Sequence, residues 1–568
     1  MRAMIAILGL VIGTAAAALT PSLPPSLVVT NGMIYDGLGG APYKGWLTVS
    51  GDRITGIGAG NLPKTSPALR DARQVVDAHG LAVTPGFVNM LSWSTESLIQ
   101  DGRALSDIKQ GVTLEVMGEG ESMGPLSPAL KAYALKQQSD VKYPISWTTL
   151  GEYLSFLEKR GIAPNVASFV GATTVRENVL GFDDIDPSPA QLDQMRALVR
   201  QAMNEGAVGV GSSLIYAPAS YAETPELIAL ATESAKCGGM YISHMRSEGD
   251  RLVEAVDELI EIARKSGGPA EIYHMKQAGR VNWSKLDTVI ARVEAARASG
   301  IRITADMYNY TAGATGLDAA MPTWVQAGGY DKWAERLRDP ATRAKVLAEM
   351  RAPKKDWEDL RLAAGSPDRV LLLGFKNPKL KPLTGKTLAE VALLRGTSPE
   401  DTAIDLVIED GSRVGTAYFL MDEANVRRQT SLPWMAFGSD AEGAAPEGVF
   451  LQSSTHPRAY GNVARLLGHY VRDEKTTTLQ DAVRRLTSFP ASNLGIKDRG
   501  RLAVGSFADI VILDPTKIGD HATYDKPMQF ATGVAQVYVN GVQVLKDGQP
   551  TGAAAGRFVK GAGAEKCS

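Results

Sequence analysis

GMYISHMRSEG (239–249) and AEIYHMKQAG (270–279) flank the segment RLVEAVDELIEIARKSG (251–267), and this unit decides the fold. Each flank is a short apolar run that leads into a histidine, His244 in the first and His274 in the second. The middle segment carries apolar residues at 252, 255, 256, 259, 260 and 263. That is the 3.6-residue stripe of a helix with one buried face. A strand, a crossover helix and a second strand predict a parallel β-α-β unit.

The same rhythm extends in both directions. Further strands are expected within VTPGFVNML (83–91), GVTLEVMGEG (111–120), NVASFVGATT (165–174), GAVGVGSSLIY (206–216), IRITADMYNY (301–310) and PWMAFGSDAEG (433–443). Eight strands alternating with helices predict an α/β fold, a (β/α)8 TIM barrel, over residues 84–499. Such a barrel needs about 250 residues, and the chain has 568. The surplus falls in two places. Residues 26–83 and 500–560 show short alternating strands with Asn-Gly and Asp-Gly turns, so the two ends are expected to pair into a small β-sandwich domain. Residues 325–430, after strand seven, are too long for a plain loop and are read as an inserted subdomain, on the face of the barrel where insertions commonly cover or shape the active site.

The chain opens MRAMIAILGLVIGTAAAALT, with Arg2, an apolar run and small residues at 15–18. Residues 1–18 read as a signal peptide, which implies a periplasmic or secreted protein. No other segment is long and apolar enough to span a bilayer, so no stable membrane insertion is expected after cleavage. The net charge of −2 provides no electrostatic footprint for a nucleic-acid partner. Cys237 and Cys567 lie too far apart to define a disulfide framework or a zinc-finger spacing. Each is read as a structural residue, with Cys567 in a loose Gly/Ala-rich tail.

Catalytic groups in a barrel project from the carboxyl ends of the strands. Three residues pass that filter: His244, His274 and Asp440. A single strand-end histidine is more often a hydrogen-bonded core residue than a ligand. Two that recur 30 positions apart, one strand-helix repeat, place their imidazoles side by side over the barrel mouth. With an acid nearby they make a candidate divalent-metal site. Glu119 ends strand two and is a candidate third ligand. Lys276 and Arg246 each follow a histidine by two residues, so in extended chain they share its side. Tyr216, Tyr308, Tyr310 and Arg458 are further strand-end or pocket candidates, and His456 follows strand eight within reach of the pocket. Cationic and phenolic groups around a metal suit an anionic substrate. His79, His469 and His521 have structural contexts.

Taken together, VVDAHGLAVTPGFVN, ISHMRSEGD, EIYHMKQAG, ITADMYNYTAG, FGSDAEG, THPRAYGNVARLLGHYVR and LTSFPASNLGIKDRGRLAVGSFADIVILDP resemble the N-acyl-D-amino-acid deacylase (D-aminoacylase) branch of the amidohydrolase superfamily. The resemblance extends over residues 27 to about 560, and the quoted segments run from 75 to 515. The resemblance implies a barrel, a β-sandwich from both termini and catalytic zinc. It assigns His244 and His274 as metal ligands, and Asp440 as the general base that also touches the metal. It places Lys276, Tyr216, Tyr308 and Arg458 around the substrate's carboxylate and amide.

Two departures from the family pattern stand out. Where the family has His-x-His after strand one, this chain has Leu91 and Trp93, and neither can bind a metal. Where the family often has a cysteine ligand, this chain has Gly118-Glu119-Gly120. The expectation is therefore one divalent metal held by Glu119, His244 and His274, with Asp440 at its open position: Zn2+, with Mn2+ or Co2+ accommodated by the oxygen ligand. The expected reaction is hydrolysis of the linear amide of a small-molecule N-acyl-D-amino acid. Two other readings stay open, a dipeptidase or other hydrolase of a carboxylate-bearing amide, and an inactive barrel that only binds.

Overall fold

The computed structural model describes residues 25–352 and 356–567. The signal peptide expected over 1–18 lies outside the described residues. Eight parallel strands form the barrel: β1 (Phe87–Asn89), β2 (Val112–Met117), β3 (Asn165–Ser168, resumed at Val170–Gly171), β4 (Gly209–Ser213), β5 (Met240–His244), β6 (Ala270–Ile272), β7 (Ile303–Met307) and β8 (Met435–Phe437). Each pairs with the next in parallel register. The ring closes where the Met90 N–H donates to the Phe437 carbonyl (3.1 Å) and Ser92 bridges Ala441. Val88, Met90, Val116, Phe169, Ile242 and Tyr273 belong to one buried apolar cluster formed by the strands. Leu252–Ser266 is helical, and all six stripe positions are buried.

The two ends of the chain share one nine-stranded sheet. Its seam is the antiparallel pair of Ala82–Pro85 with Ile510–Leu513. Strand Leu27–Ile34 turns at Asn31 (φ 54°), so its first half pairs with Val75–Asp77 and its second half with Ala82–Val83. Leu27, Ile34, Leu47, Ile510 and Tyr538 pack together in a core of their own. Ala82–Pro85 runs through Gly86 straight into β1, which ties this sheet to the barrel.

The insertion between β7 and β8 starts at Ala312, earlier than the 325 expected from sequence. Ala312–Gly316 is a run of small residues that carries no apolar alternation, yet it pairs with Gly415–Phe419, which in turn pairs with Val370–Gly374. The insertion has a separate core of Leu317, Trp333, Leu337, Val346, Val391 and Leu406. It ends near Phe419 rather than 430, because Val426 of helix Glu423–Thr430 already packs in the main barrel cluster.

The reading of the cysteines needs correction. Cys237 and Cys567 form a disulfide, with their Cα atoms 5.0 Å apart. The tail is not loose. The N–H groups of Gly556, Val559 and Gly561 donate to the carbonyls of Ile162, Val166 and Gly206, which carries the chain end back past the amino ends of β3 and β4 to Cys237. Backbone pairing of this kind leaves no trace in side-chain pattern. Among the described residues, no helix is long and apolar enough to cross a membrane.

Candidate active site

The carboxyl ends of the strands open into a cavity of about 740 Å3, roofed by the insertion. Glu119 enters it from the turn after β2. That turn needs glycine on both sides: Gly118 has φ 102°, and a Cβ there would sit 2.3 Å from the Phe169 carbonyl oxygen. Glu119 is buried, and its Oε1 lies 3.1 Å from Nδ1 of His244 and 2.8 Å from Nε2 of His274. The two imidazoles stand edge to face with centroids 4.5 Å apart. The spacing of one repeat therefore does bring them together.

His274 and Asp440 both adopt left-handed backbone, at φ 34° and 49°. For histidine this region is sparsely populated, and such residues cluster at functional sites. The His274 N–H is held there by Asp306 Oδ1 at 2.8 Å. The Asp440 N–H is held by the Leu91 carbonyl at 2.8 Å.

The cluster fits a divalent cation. Glu119, His244 and His274 each offer one ligand atom, all within 4.8 Å of one another. One carboxylate oxygen and two imidazole nitrogens form a donor set suited to zinc-like metals. Nε2 of His244 is buried without a hydrogen-bond partner among the described residues. The electrostatics agree. Burial opposes charge on Glu119, yet the His274 and His244 imidazoles outweigh it and hold the carboxyl well below the usual range. Burial and the Lys276 ammonium oppose a proton on His274, but Glu119 and Glu248 push it up to about 10. Glu119 and Glu248, which hold a proton on buried His274, provide the field that a cation exchanges into, releasing that proton.

The other residues expected here mostly line the same cavity: Asp440, Lys276, Tyr216, Tyr308 and Arg458. Arg458 is buried, with Nη1 2.8 Å from Asp440 Oδ2 and its guanidinium 4.3 Å from the Tyr308 ring centroid. The pairing is ionic, since neither Nε nor Nη1 has a hydrogen-bond acceptor among the described residues. Asp440 is raised above the ordinary aspartate range, by burial first, with Arg458 opposing and Glu119 adding to the rise. His456 also reaches the cavity. Its Nε2 lies 3.0 Å from the Ala312 carbonyl and its Nδ1 accepts the Arg458 N–H, so it is neutral, held well below its usual range by burial and then by Arg458.

Arg246 does not join the site. Its guanidinium bonds Glu258 and the carbonyls of Ser220 and Ala222, and it lines a separate cavity. The two-residue alternation fails because β5 ends at His244 and the chain turns out of extended geometry there. Tyr310 is also turned away, with its hydroxyl donating to Asp520.

Two residues escaped sequence reasoning. Glu248 accepts from Lys276 Nζ at 2.6 Å and lies 3.1 Å from His274 Nδ1 and 3.5 Å from His244 Nε2. It faces the outer nitrogens of both histidines, the place of a carboxylate that orients metal-binding imidazoles. Its spacing of four from His244 was the available signal. Trp93 cannot bind a metal, but its indole N–H lies 3.1 Å from Glu119 Oε2 and 3.0 Å from Asp440 Oδ1.

Comparison with known proteins bears on this arrangement. A family model described as the amidohydrolase family matches residues 74–545. The chain belongs to the amidohydrolase family. It is 32% identical over 539 residues to the D-aminoacylase of Alcaligenes xylosoxydans xylosoxydans, covering 95% of this chain and 98% of that one. A D-aminoacylase structure described through its binuclear metal centre, with one-metal activation and second-metal attenuation, superposes with a TM-score of 0.77 at 30% identity, over 94% of this chain and 100% of that one. The zinc-bound N-acyl-D-glutamate deacylase of Bordetella bronchiseptica, in complex with a phosphonate mimic of the tetrahedral intermediate, gives 0.77 at 27% identity with the same coverage. Family and fold are thus those expected from the sequence: a metal-dependent hydrolase of linear amides on a barrel.

Proposed function

We propose that this amidohydrolase removes the acyl group from N-acyl-D-amino acids, using one zinc ion held by Glu119, His244 and His274. The observation that carries the reading is the convergence of three ligand atoms within 4.8 Å, beside a buried Asp440–Arg458 pair. The D-aminoacylase and D-glutamate deacylase relatives support the substrate class. A bound divalent cation there supplies Lewis-acid polarisation of the amide carbonyl and acidifies water. Manganese or cobalt suits the Glu119 oxygen as well.

The chain's own groups account for the remaining chemistry. Asp440 takes a proton from the attacking water and delivers it to the leaving nitrogen, so that amide and water become carboxylic acid and amine. Its raised proton affinity suits that transfer. Arg458, whose Nε is buried without a hydrogen-bond partner among the described residues, binds the substrate carboxylate alongside Tyr308. Tyr216 and Lys276 face the developing oxyanion. The protein is periplasmic or secreted. The Cys237–Cys567 disulfide supports that placement, because disulfides persist in oxidising compartments.

One observation favours a second reading, a dipeptidase. Glu121 and Glu177 line the same cavity, and neither side chain has a hydrogen bond or ion pair among the described residues. They suit the ammonium of an aminoacyl group. Hydrolysis of N-acetyl-D-methionine, its L enantiomer and a dipeptide with a D residue at its carboxyl end tests the assignment. Faster turnover of the acetylated D substrate supports deacylation, and faster turnover of the dipeptide selects the second reading.

A further inference from the structure

The insertion does more than roof the cavity, because one of its side chains grips the loop that carries Glu248 beside His244 and His274. Glu358 lies between helices Pro340–Arg351 and Leu360–Ala364 of the insertion. A single carboxylate oxygen, Oε1, accepts the Glu248 N–H at 2.8 Å, the Gly249 N–H at 2.6 Å and the Ser247 hydroxyl. Three donors on one oxygen fix a three-residue arc of backbone. The arc is braced further by Ser247 Oγ, which accepts the Arg251 N–H at 3.0 Å, and by the Glu248 carbonyl, which accepts the Ala278 N–H at 2.7 Å. Gly249 permits the close approach, since a Cβ there would lie 3.1 Å from Glu358 Oε1.

The residue at the centre of the arc is Glu248, whose carboxylate lies 3.1 Å from Nδ1 of His274 and 2.6 Å from Nζ of Lys276. We propose that Glu358 is a positioning residue: through the backbone of Ser247–Gly249 it sets the carboxylate of Glu248, and through Glu248 the orientation of His274 and Lys276 at the metal site. The inference rests on the metal-site reading above. It makes the docked position of the insertion a condition for metal affinity, since outer-shell partners of metal-binding histidines are typically worth about 10- to 100-fold in affinity.

The test is zinc affinity, measured by competition with a chromophoric chelator on the full chain. The variants are E358A, E358Q, E248Q and the double variant E358A/E248Q, each first shown to be folded by thermal unfolding. E358A is expected to weaken zinc by about tenfold, within the range for outer-shell carboxylates. E358Q keeps an acceptor oxygen and is expected to recover most of the loss. Glu358 acts through Glu248, so the double variant should fall well short of the product of the two single losses. Wild-type affinity in folded E358A, or independent losses in the double variant, overturns the proposal. Absence of zinc binding in the wild-type protein is a different result: it removes the metal-site reading itself, and this proposal with it.

Discussion

The indole Nε1 of Trp93 lies 3.0 Å from Oδ1 of Asp440, and the same N–H reaches Glu119 Oε2 at 3.1 Å. Where relatives are expected to carry a metal-binding histidine after strand one, this chain carries a hydrogen-bond donor. It ties the expected base to the expected metal carboxylate. Replacing Trp93 with Phe removes that donor from both. At about 0.5–1.5 kcal/mol net per hydrogen bond, kcat/KM should fall roughly two- to tenfold with bound metal retained. Steady-state kinetics with elemental analysis checks this.

Asp440 serves as a base only when deprotonated, and burial raises its pKa even though the Arg458 charge opposes the rise. Activity should therefore fall as the pH drops through that raised value. The acid limb of kcat/KM should sit above the aspartate reference near 3.9 and move further up when Arg458 is replaced by Met. Asp440→Asn should lose about 10²–10⁴ in kcat while metal remains bound. Retention of near-full kcat by that variant would remove Asp440 from the mechanism.

Glu119→Cys exchanges an oxygen ligand for a softer thiolate, which should sharpen selectivity for zinc over manganese. Glu119→Ala should lose the metal and leave the His244 and His274 rings without their shared acceptor. Competitive loading with equimolar zinc and manganese, read by elemental analysis, distinguishes the variants.

The disulfide anchors a tail that passes the amino ends of β3 and β4, closing a loop with a sequence separation of 330. A disulfide of this kind typically contributes about 2–4 kcal/mol. The Cys237→Ala/Cys567→Ala variant should therefore unfold at lower temperature, whereas added reductant should leave its Tm unchanged. Calorimetry with and without reductant checks both.

Much of this was legible in the sequence for a physical reason. Strand-end residues declare themselves when a short apolar run stops at a polar group, and that filter singled out His244, His274 and Asp440, with Glu119 as a further strand-end candidate. The helical stripe at 252–263 is equally explicit, since burial of one face dictates it. Arg246 shows where the argument stops. Alternation holds only while the chain stays extended, and β5 ends at His244. Glu248 and Glu358 were hidden because their contacts depend on loop backbone and on an insertion brought in from far along the chain. The Cys237–Cys567 pair was hidden likewise, since a tail held by backbone hydrogen bonds has no side-chain signature.

The most direct test of the account is a zinc titration of chelator-stripped protein, with hydrolysis of N-acetyl-D-methionine and its L enantiomer followed at each step. Activity on the D substrate should rise linearly to a plateau at one zinc per chain, and the L substrate should lag throughout. A plateau only at two equivalents, or full D-selective turnover before any zinc is added, would contradict the single site built by Glu119, His244 and His274.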